Sequence, residues 1–360
     1  MLFKPQINQL PQQSGFLLGQ TINFVIPRDF PLEGFMLRIR PTLSAAAATV
    51  APEGIFSLIK AIRLVVNDGG SSRNVINLDG MWATQRHLQY GGNLDSATLT
   101  FYANAFSTVG QKDITVPFFI PPFSIEDPVR SHFLLNLPRF NSDPVLQIQL
   151  GTQADVDTNA TPTFAISALL ADLVTYKRFV KVPNWQYLDT ECFSSVQAYP
   201  NNAANQSYDI PVPGYHFAIG ARAYASATAL GDFTQNGGFS VIQALNTFER
   251  RIEPANLSKL DTYSINSDVS PNTSAAASGP QRALASGNGS TFWWDYLTDL
   301  NGAGAMTLDG VLDTNPFVNV GQGPQVIWDL AGGPGKQIIF LHDRCFGNID
   351  AYKFIQPAKA

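Results

Sequence analysis

A chain of 360 residues, 45% of them hydrophobic, is too long for one ordinary core, because single cores stop growing near about 250–300 residues. Charged residues make up only 14% of the chain, against about 25% in typical soluble proteins. The net charge is −5 and no block of Lys and Arg stands out. Direct nucleic-acid binding, which needs clustered positive charge, is therefore not expected.

The low charge content has two interpretations. A surface covered by partner subunits would be poor in charge, because interface centres are depleted in charged residues and enriched in aromatics, and the chain contains 25 Phe. A secreted β-protein rich in Ser, Thr and Asn would also carry little charge. We favour the assembly interpretation.

The two cysteines, Cys192 and Cys345, predict free buried thiols rather than a disulfide framework, although one bridge would be possible. Residues 1–15 lack the charged region and apolar run of a signal peptide. No apolar run approaches the roughly 18–20 residues that span a bilayer. We therefore expect a protein made in a reducing cytoplasm.

An internal repeat organises the chain. Residues 56–67 recur in blurred form as residues 239–250, with a shift of 183 positions (239 − 56). Neighbouring dipeptides keep nearly the same shift: Ile26-Pro27 with Ile210-Pro211, and Leu78-Asp79 with Leu260-Asp261. Such self-similarity predicts two copies of one domain, with a boundary near Val182.

The first half begins with residues 1–15, which have no periodicity and are interpreted as an extended arm, and continues with short strands. Alternating apolar residues and frequent prolines are typical of a sandwich or barrel. The strands are predicted at 21–28, 34–43, 98–106, 114–120, 133–137, 145–150 and 168–174.

The apolar residues of 55–67 have helical spacing at the start and alternate, as in a strand, at the end. A helical turn followed directly by a strand would satisfy both patterns. Residues 67–70 then predict a turn. Residues 79–90 are the best helix candidate, with Asp79 as N-cap and Gly91-Gly92 as the stop.

The second half repeats this plan. Residues 239–252 correspond to the repeated stretch, 257–265 stand where the first half has its helix, and 266–290 form a surface loop too polar to be ordered by burial. Residues 326–328 parallel 145–147. The remaining strands are predicted at 208–212, 216–225, 292–297, 316–320, 325–330 and 337–341.

Candidate chemistry is sparse. No short-range metal-binding pair is formed by the four histidines, His87, His132, His216 and His342. No nucleophile elbow or phosphate-binding loop is present, and residues 332–336 are interpreted as a hairpin turn. The sequence therefore predicts no catalytic residue, no cofactor and no metal site.

Weaker alternatives remain for a few carboxylates and aromatics. Asp95 with Asp113, or Asp295 with Asp299, could serve a glycosidase, although solvated loop charges are expected. Asp155 and Asp157 could hold a calcium ion, but the glycine and distant Glu of an EF-hand loop are missing. The aromatic residues 292–296 could stack on a sugar; a core or subunit contact is the favoured interpretation.

These residues resemble a known family, the double jelly-roll major capsid proteins of tailless icosahedral viruses with an internal membrane, with tectivirus-like and corticovirus-like phages nearest. The features are the Ile-Pro strand, residues 56–67 ending in a turn, Leu78-Asp79-Gly80 before a helix, and Leu137-Pro138 followed by 145–150. The likeness covers residues 20–355. The second half departs from it, because Arg250-Arg251 replaces the Asn-Asp turn and the helix signal is weaker.

The resemblance implies an all-β fold of two tandem eight-stranded jelly-roll β-sandwiches with short helices in loops. It implies an arm at 1–19 and rolls at 20–182 and 183–360. Such a chain would be structural rather than enzymatic, forming pseudo-hexagonal homotrimers that tile a virion shell assembled in the host cytoplasm.

The same resemblance implies further partners. These are neighbouring trimers, pentons and minor capsid or membrane proteins, with residues 266–290 and 45–52 as tower loops. The arm would face the internal membrane or a neighbouring trimer. The main alternative is a secreted two-jelly-roll hydrolase acting on glycans, which would carry a signal peptide and usually disulfides. A second alternative is a carbohydrate-binding protein or receptor-binding spike, which would more often be a single roll with a shaft.

Overall fold

The computed structural model of the chain describes residues 6–51, 53–89, 105–120, 133–179, 187, 189–199, 206–226, 229–230, 239–242, 249–252, 291–295, 312–315, 318, 324–328 and 333–346. Among these residues, contacts separate a first compact unit that runs to Phe193 from a second that starts at Ser194. The expected domain boundary at Val182, the helix at 257–265 and the tower loop at 266–290 lie outside the described residues.

Short strands dominate the first unit, with β4 and β10 as the two longest. In chain order they are β1 (Gln6–Gln9), β2 (Gln13–Ser14), β3 (Thr21–Val25), β4 (Leu32–Ala45), β5 (Ile59–Asp68), β6 (Ser71–Leu78), β7 (Gly110–Gln111), β8 (Ile114–Phe119), β9 (Val145–Leu150), β10 (Ala165–Lys177) and the start of β11 (Asp189–Ala198). The helices are α1 (Gly80–Gln89), α2 (Gln153–Val156) and the 3₁₀ segments Gly54–Leu58, Ala105–Ser107 and Leu137–Arg139.

Two sheets supply the core of the first unit. In one, the order is β1-β10-β4, with β8 and β7 on the far side of β4; in the other it is β3-β9-β5-β6. The strands alternate as the period-2 pattern requires: on β4, Phe35, Leu37 and Ile39 are fully buried, whereas Arg38 between them is exposed. Burying one face of each sheet accounts for the apolar alternation read from the sequence.

The repeated stretch in the first half folds as predicted, with a 3₁₀ turn at Gly54–Leu58 that leads directly into β5. The following turn places Gly69 and Gly70 at φ of 60° and 91°, a region that favours glycine. Asp79 caps α1, because its Oδ1 accepts a hydrogen bond from the Trp82 N–H at 2.6 Å. The strands predicted at 21–28, 114–120, 145–150 and 168–174 are also confirmed as β3, β8, β9 and β10.

The second unit contains the rest of β11 and the remaining strands. In chain order these are β12 (Gln206–Asp209), β13 (Tyr215–Ser226), β14 (Ala229–Leu230), β15 (Phe239–Ile242), β16 (Glu249–Ile252), β17 (Thr291–Asp295), β18 (Leu312–Asp313), β19 (Gln325–Trp328) and β20 (Gln337–Phe346). One sheet is ordered β12-β19-β15-β16, and in the other β11 neighbours β20, which pairs with β13, which pairs with β17.

The two units therefore have the same strand order. β3-β9-β5-β6 corresponds to β12-β19-β15-β16, and β1-β10-β4-β8 corresponds to β11-β20-β13-β17. A backbone hydrogen bond recurs at the same place in both: Ile26 N–H donates to Pro144 O, and Ile210 N–H donates to Pro324 O, each at 2.8 Å. The duplication inferred from the Ile-Pro dipeptides is thus present in the backbone pairing.

The predicted register of the longer repeat is wrong. The sequence aligns Phe56 with Phe239, but Phe56 lies in the 3₁₀ turn whereas Phe239 lies in β15 and pairs with Trp328. In the sheet of the first unit, the residue at the position of Phe239 is Ile62, which pairs with Ile148 of β9. The matching residue types reflect similar local composition. The strand pairing shows that Phe239 corresponds to Ile62 and not to Phe56.

Three other expectations need correction. Residues 105–107 and 137–139 form 3₁₀ helices at the ends of predicted strands, and near 133–137 the only described pairing consists of single bridges at Leu134 and Leu135. β6 was not predicted, because its first half is polar. Residues 6–9 and 13–14 of the arm pair with β10, so this part of the arm belongs to the first unit.

Close packing at Gly34 generates a prediction. A Cβ there would lie 2.3 Å from Cδ1 of Phe119 and 2.4 Å from the Phe118 carbonyl oxygen. We expect Gly34→Ala to lower the free energy of unfolding by about 1–3 kcal/mol through overpacking, measured by urea denaturation. Gly333→Ala is the control, because its Cβ would meet only the flexible Lys336 side chain, at 3.3 Å. Equal stability of the two variants would contradict the packing argument.

Candidate functional site

The structure brings two of the four histidines together in the second unit. His216 lies on β13 and His342 on β20, the central antiparallel pair of that sheet. Both side chains are fully buried, with ring centroids 5.8 Å apart in an edge-on arrangement. Metal-binding motifs in a sequence are recognised by short spacings, whereas this pair arises from strand pairing across more than one hundred residues, so no local pattern could have indicated it.

Two polar side chains, Tyr208 and Ser195, contact His342 and each other. The Tyr208 hydroxyl lies 2.9 Å from His342 Nε2, and Ser195 Oγ lies 2.6 Å from that hydroxyl and 3.4 Å from Nε2. The Tyr208 ring stacks on Phe340 at 4.2 Å between centroids. His216 is oriented separately, because its Nε2–H donates to the Pro211 carbonyl at 3.0 Å.

Burial keeps both histidines neutral. It lowers the pKa of His216 to about 4, against the opposing hydrogen bond to Pro211 and with a smaller effect of Arg344. It lowers the pKa of His342 well below its ordinary value, and the nearby His216 and Arg344 add to this. A general base works best with a pKa near the operating pH. His342 is therefore too weakly basic to activate Ser195 as a nucleophile, and the cluster is best explained as part of the buried core.

The other histidines do not extend this cluster into a site. His87 is buried in α1, with its ring 6.0 Å from that of Phe119, and His132 lies outside the described residues. No group of three or more His, Cys, Asp or Glu side chains that could hold a metal ion occurs within the described ranges.

The two aspartates considered for calcium have separate roles. Asp157 is fully buried, and its oxygens accept hydrogen bonds from four backbone N–H groups, those of Ala48, Thr49, Asn159 and Thr163, at 2.7–3.2 Å. Burial alone would raise the pKa of Asp157, but these donors hold it well below its ordinary value. N–H groups thus occupy the positions that a cation would need.

Asp155 points elsewhere. Its Oδ2 accepts from the Thr152 N–H and hydroxyl, at 2.8 and 2.7 Å, and so caps α2, while its Oδ1 pairs with Lys60 Nζ at 2.5 Å. These hydrogen bonds and the Lys60 charge lower the pKa of Asp155 against the opposing effect of partial burial. The two carboxylates therefore do not form a shared calcium site.

The carboxylates proposed for a glycosidase are only partly described. Asp113 pairs with Arg38, accepting from Nε at 2.8 and 2.9 Å. Asp95, Asp299 and Tyr296 lie outside the described residues. Residues 291–295 form β17, whose backbone pairs with β13 along its length, so the aromatic segment is a sheet strand.

The turn at 332–336 and the cysteines are simpler cases. Lys336 N–H donates to the Gly333 carbonyl at 3.2 Å, which closes a tight turn. The turn is not a hairpin, because β19 before it pairs with β12 and β15, whereas β20 after it pairs with β13. Cys192 and Cys345 are buried thiols that are not joined in a disulfide, as expected.

A charge cluster that the sequence did not indicate fixes the start of β11 in the first unit. Asp189 Oδ1 accepts from Arg73 at 2.6 Å and from Arg139 at 2.9 Å, and Asp68 binds the same two arginines at 3.2 and 3.5 Å. Its members come from the β5–β6 hairpin, a 3₁₀ turn and β11. Their spacing in the sequence gives no signal, because only the folded sheet brings them together.

Comparison with known proteins places the fold. No protein-family model and no curated protein sequence matches the chain. Among solved structures, the major capsid protein of Sulfolobus turreted icosahedral virus matches with a TM-score of 0.63 and 12% identity, over 98% of this chain and 100% of that chain. The capsid of virus PBCV-1 matches with a TM-score of 0.56 and 11% identity, over 96% of both chains.

The major capsid protein of bacteriophage PM2 is also similar, with a TM-score of 0.52 and 11% identity over 96% of this chain and 98% of that chain. These likenesses span both units, and they confirm the predicted all-β architecture of two tandem jelly rolls. In the part of the chain that the structure describes, no helix is long and apolar enough to cross a bilayer.

The buried histidines predict acid sensitivity. The pKa of His216 is lower in the folded state, about 4, than the roughly 6.5 of an unfolded histidine. The unfolded chain therefore binds more protons below pH 6.5, and stability is lost as the pH falls. We expect the free energy of unfolding to drop by about 2 kcal/mol through His216 alone between pH 7 and pH 5, measured by urea denaturation.

The variant His216→Gln should show a smaller loss over the same interval. Tyr208→Phe is the matched control, because it removes a neighbouring hydroxyl and leaves both histidines in place, so its pH dependence should equal that of the parent. An unchanged pH dependence in His216→Gln would refute the assignment.

The Asp157 arrangement gives a second prediction. Asp157→Asn turns an amide group toward N–H donors, and we expect it to cost about 2 kcal/mol or more of unfolding free energy, since hydrogen bonds to charged groups contribute about 1.5–3 kcal/mol. Asp155→Asn, at a partly exposed position, should cost less. Calcium or a chelator should leave the unfolding midpoint of the parent unchanged, and a rise of that midpoint with calcium would restore the calcium interpretation.

Proposed function

We propose that this chain is a major capsid protein, a structural component of a virion. The observation that carries the proposal is the likeness to the major capsid protein of Sulfolobus turreted icosahedral virus, which covers 98% of this chain and all of that one. A structural match that covers both units is expected if the two proteins share a role in shell building. A match based on one shared domain would cover only half of the chain.

The surface of the first unit supports an assembly role. The outward residues of β3 are Thr21, Asn23 and the half-exposed Val25, and those of β9 are Val145, Gln147 and Gln149. This face carries no charge over two adjacent strands. Protein interfaces are depleted in charged residues at their centres, so the face suits contact with another protein better than exposure on a free monomer.

The finer form of the proposal follows the predicted organisation. An arm at 1–19, whose residues 6–9 and 13–14 pair with β10, leads into rolls at 20–182 and 183–360. Three chains form a pseudo-hexagonal homotrimer that contributes six rolls to the shell. Trimers contact neighbouring trimers, pentons and minor capsid or membrane proteins, over an internal membrane. Assembly takes place in the host cytoplasm, and direct contact with nucleic acid is not part of the role.

The proposed role involves no catalysis. The most site-like cluster of the described residues, around His342, is neutral and buried, and the Asp157 carboxylate is occupied by backbone donors. Neither arrangement offers a poised acid, base or nucleophile. The glycan-acting alternative has no specific support among the described residues.

Purified chain should therefore be a trimer. We expect light scattering at micromolar concentration to give about three times the chain mass of 39.2 kDa, and electron microscopy to show particles of pseudo-hexagonal outline. A mass equal to one chain, with no assembly on concentration, would contradict the proposal. Release of sugar from a glycan panel by the same sample would instead support the hydrolase alternative.

A further inference from the structure

The outer edge of β6 in the first unit is covered by another strand. The start of β11 lies parallel to it, with Cys192 opposite Ile76 and Phe193 opposite Asn77. Two arginines hold Asp189 at the beginning of this strand, at 2.6 and 2.9 Å. The four strands β3-β9-β5-β6 thus gain a fifth, added in parallel and fixed by charge.

The equivalent rows of residues across the two sheets can be matched through the recurring Ile-Pro contact. In the first unit the row that crosses β3, β9, β5 and β6 is Phe24, Leu146, Leu64 and Ile76. In the second unit the row that crosses β12, β19, β15 and β16 is Tyr208, Val326, Val241 and Arg250.

The first row continues to Cys192 of β11. The second row ends at Arg250, since among the described residues no strand lies on the outer side of β16. The position beside Arg250 and Arg251 therefore corresponds to the position that β11 fills beside Ile76 and Asn77.

The strand equivalent to β11 is β1. In the second unit β11 is the hydrogen-bonded neighbour of β20, and just past its end Tyr199 N–H donates to Lys336 O at 3.2 Å. In the first unit the same place, beside the last strand β10, is held by β1. β1 and β11 thus hold equivalent places in their sheets, beside the last strand of each unit. Because β11 lies beside β6, the strand expected beside β16 is a β1.

The outer edge of β1 is available for pairing. Leu10 N–H donates to Leu173 O at 2.9 Å, and hydrogen-bonded and non-bonded positions alternate along an antiparallel pair. The peptide groups of Asn8 therefore face β10, and those of Ile7 and Gln9 face away from it. Among the described strands none pairs with this edge, and the Ile7 side chain is 59% exposed.

The composition of β1 is unusual for a strand left in water. Its residues Gln6–Gln9, which lie between Pro5 and Pro11, include neither a charged residue nor a proline, whereas exposed edge strands are commonly protected by one or the other. β16, in contrast, carries Arg250 and Arg251. Like charges placed opposite one another would disfavour pairing of β16 with itself, and a neutral strand such as β1 avoids that repulsion.

We propose that β1 of a second copy of this chain adds in parallel to the outer edge of β16, beside Arg250 and Arg251. The inference rests on the proposed function, since it requires copies of the chain to assemble. The contact joins two different surfaces, so it runs head to tail and closes into a ring when the rotation between copies allows. The proposed pairing of β1 with β16 repeats, between two chains, the parallel pairing of β11 with β6 within one chain.

A proline substitution in β1 tests this contact. Gln9→Pro removes an N–H that faces away from β10 and leaves the β1–β10 ladder intact, a position at which an unpaired edge tolerates proline. We expect the concentration at which trimers dissociate to rise about tenfold or more, since 1.4 kcal/mol corresponds to a factor of ten. Gln9→Ala is the matched control, because it changes the side chain, keeps the N–H and should assemble like the parent.

Cysteine pairs test the identity of the partner strand. Ile7→Cys is combined with Arg251→Cys, and separately with Arg250→Cys, to cover both faces of the parallel pair. The native Cys192 and Cys345, which are buried and not in a disulfide, are retained. On mild oxidation one combination should give covalent trimers on a non-reducing gel, and the single variants should not. A cross-linked band of one-chain mass would place β1 on its own chain and overturn the proposal.

The outcomes separate the two claims. A parent that is a trimer by light scattering, with Gln9→Pro also a trimer and no inter-chain cross-link, would overturn this inference and leave the capsid proposal standing. A parent that stays monomeric would overturn both. A loss of trimer in Gln9→Pro supports the inference only if the circular dichroism spectrum of the variant matches that of the parent. If Gln9→Pro misfolds, the cross-linking of Ile7→Cys with Arg251→Cys or Arg250→Cys decides whether the contact exists.

Discussion

One backbone hydrogen bond, made twice, sets the geometry of both units. The N–H groups of Ile26 and Ile210 donate to the carbonyls of Pro144 and Pro324 at 2.8 Å, and both isoleucines are buried. Proline has no N–H to offer, so it stands at the strand entrance, where only its carbonyl is needed. Because a slip of one residue would turn every side chain to the opposite face, this contact fixes the rows of each four-stranded sheet.

The sequence was informative where the signal is local or where a motif is tied to a contact. The alternation in β4, the Asp79 cap and the Ile-Pro repeat all predicted structure correctly, because each reports burial or a hydrogen bond made nearby. β6 was not predicted, because its polar first half is held in place by β5 and its second half lies between β5 and β11. The alignment of Phe56 with Phe239 was wrong, because similar apolar letters serve a 3₁₀ turn in one unit and a strand in the other.

The candidate sites were less predictable than the fold, because they depend on contacts between residues that are distant in the sequence. His216 and His342 meet only because β13 and β20 pair, and the role of Asp157 depends on backbone N–H groups from loops on either side of it. Backbone donors have no residue type, so a sequence cannot reveal them.

Several of the chain's charges hold strands at their ends. The fully buried Lys177 at the end of β10 donates to Pro27 O and pairs with Asp29, and Arg178 next to it pairs with Glu33. Asp189 is held in the same way at the start of β11. β1, in contrast, has no charged residue to protect its outer edge. Under the proposed assembly, this distribution favours burial of the neutral edge of β1 against another copy of the chain.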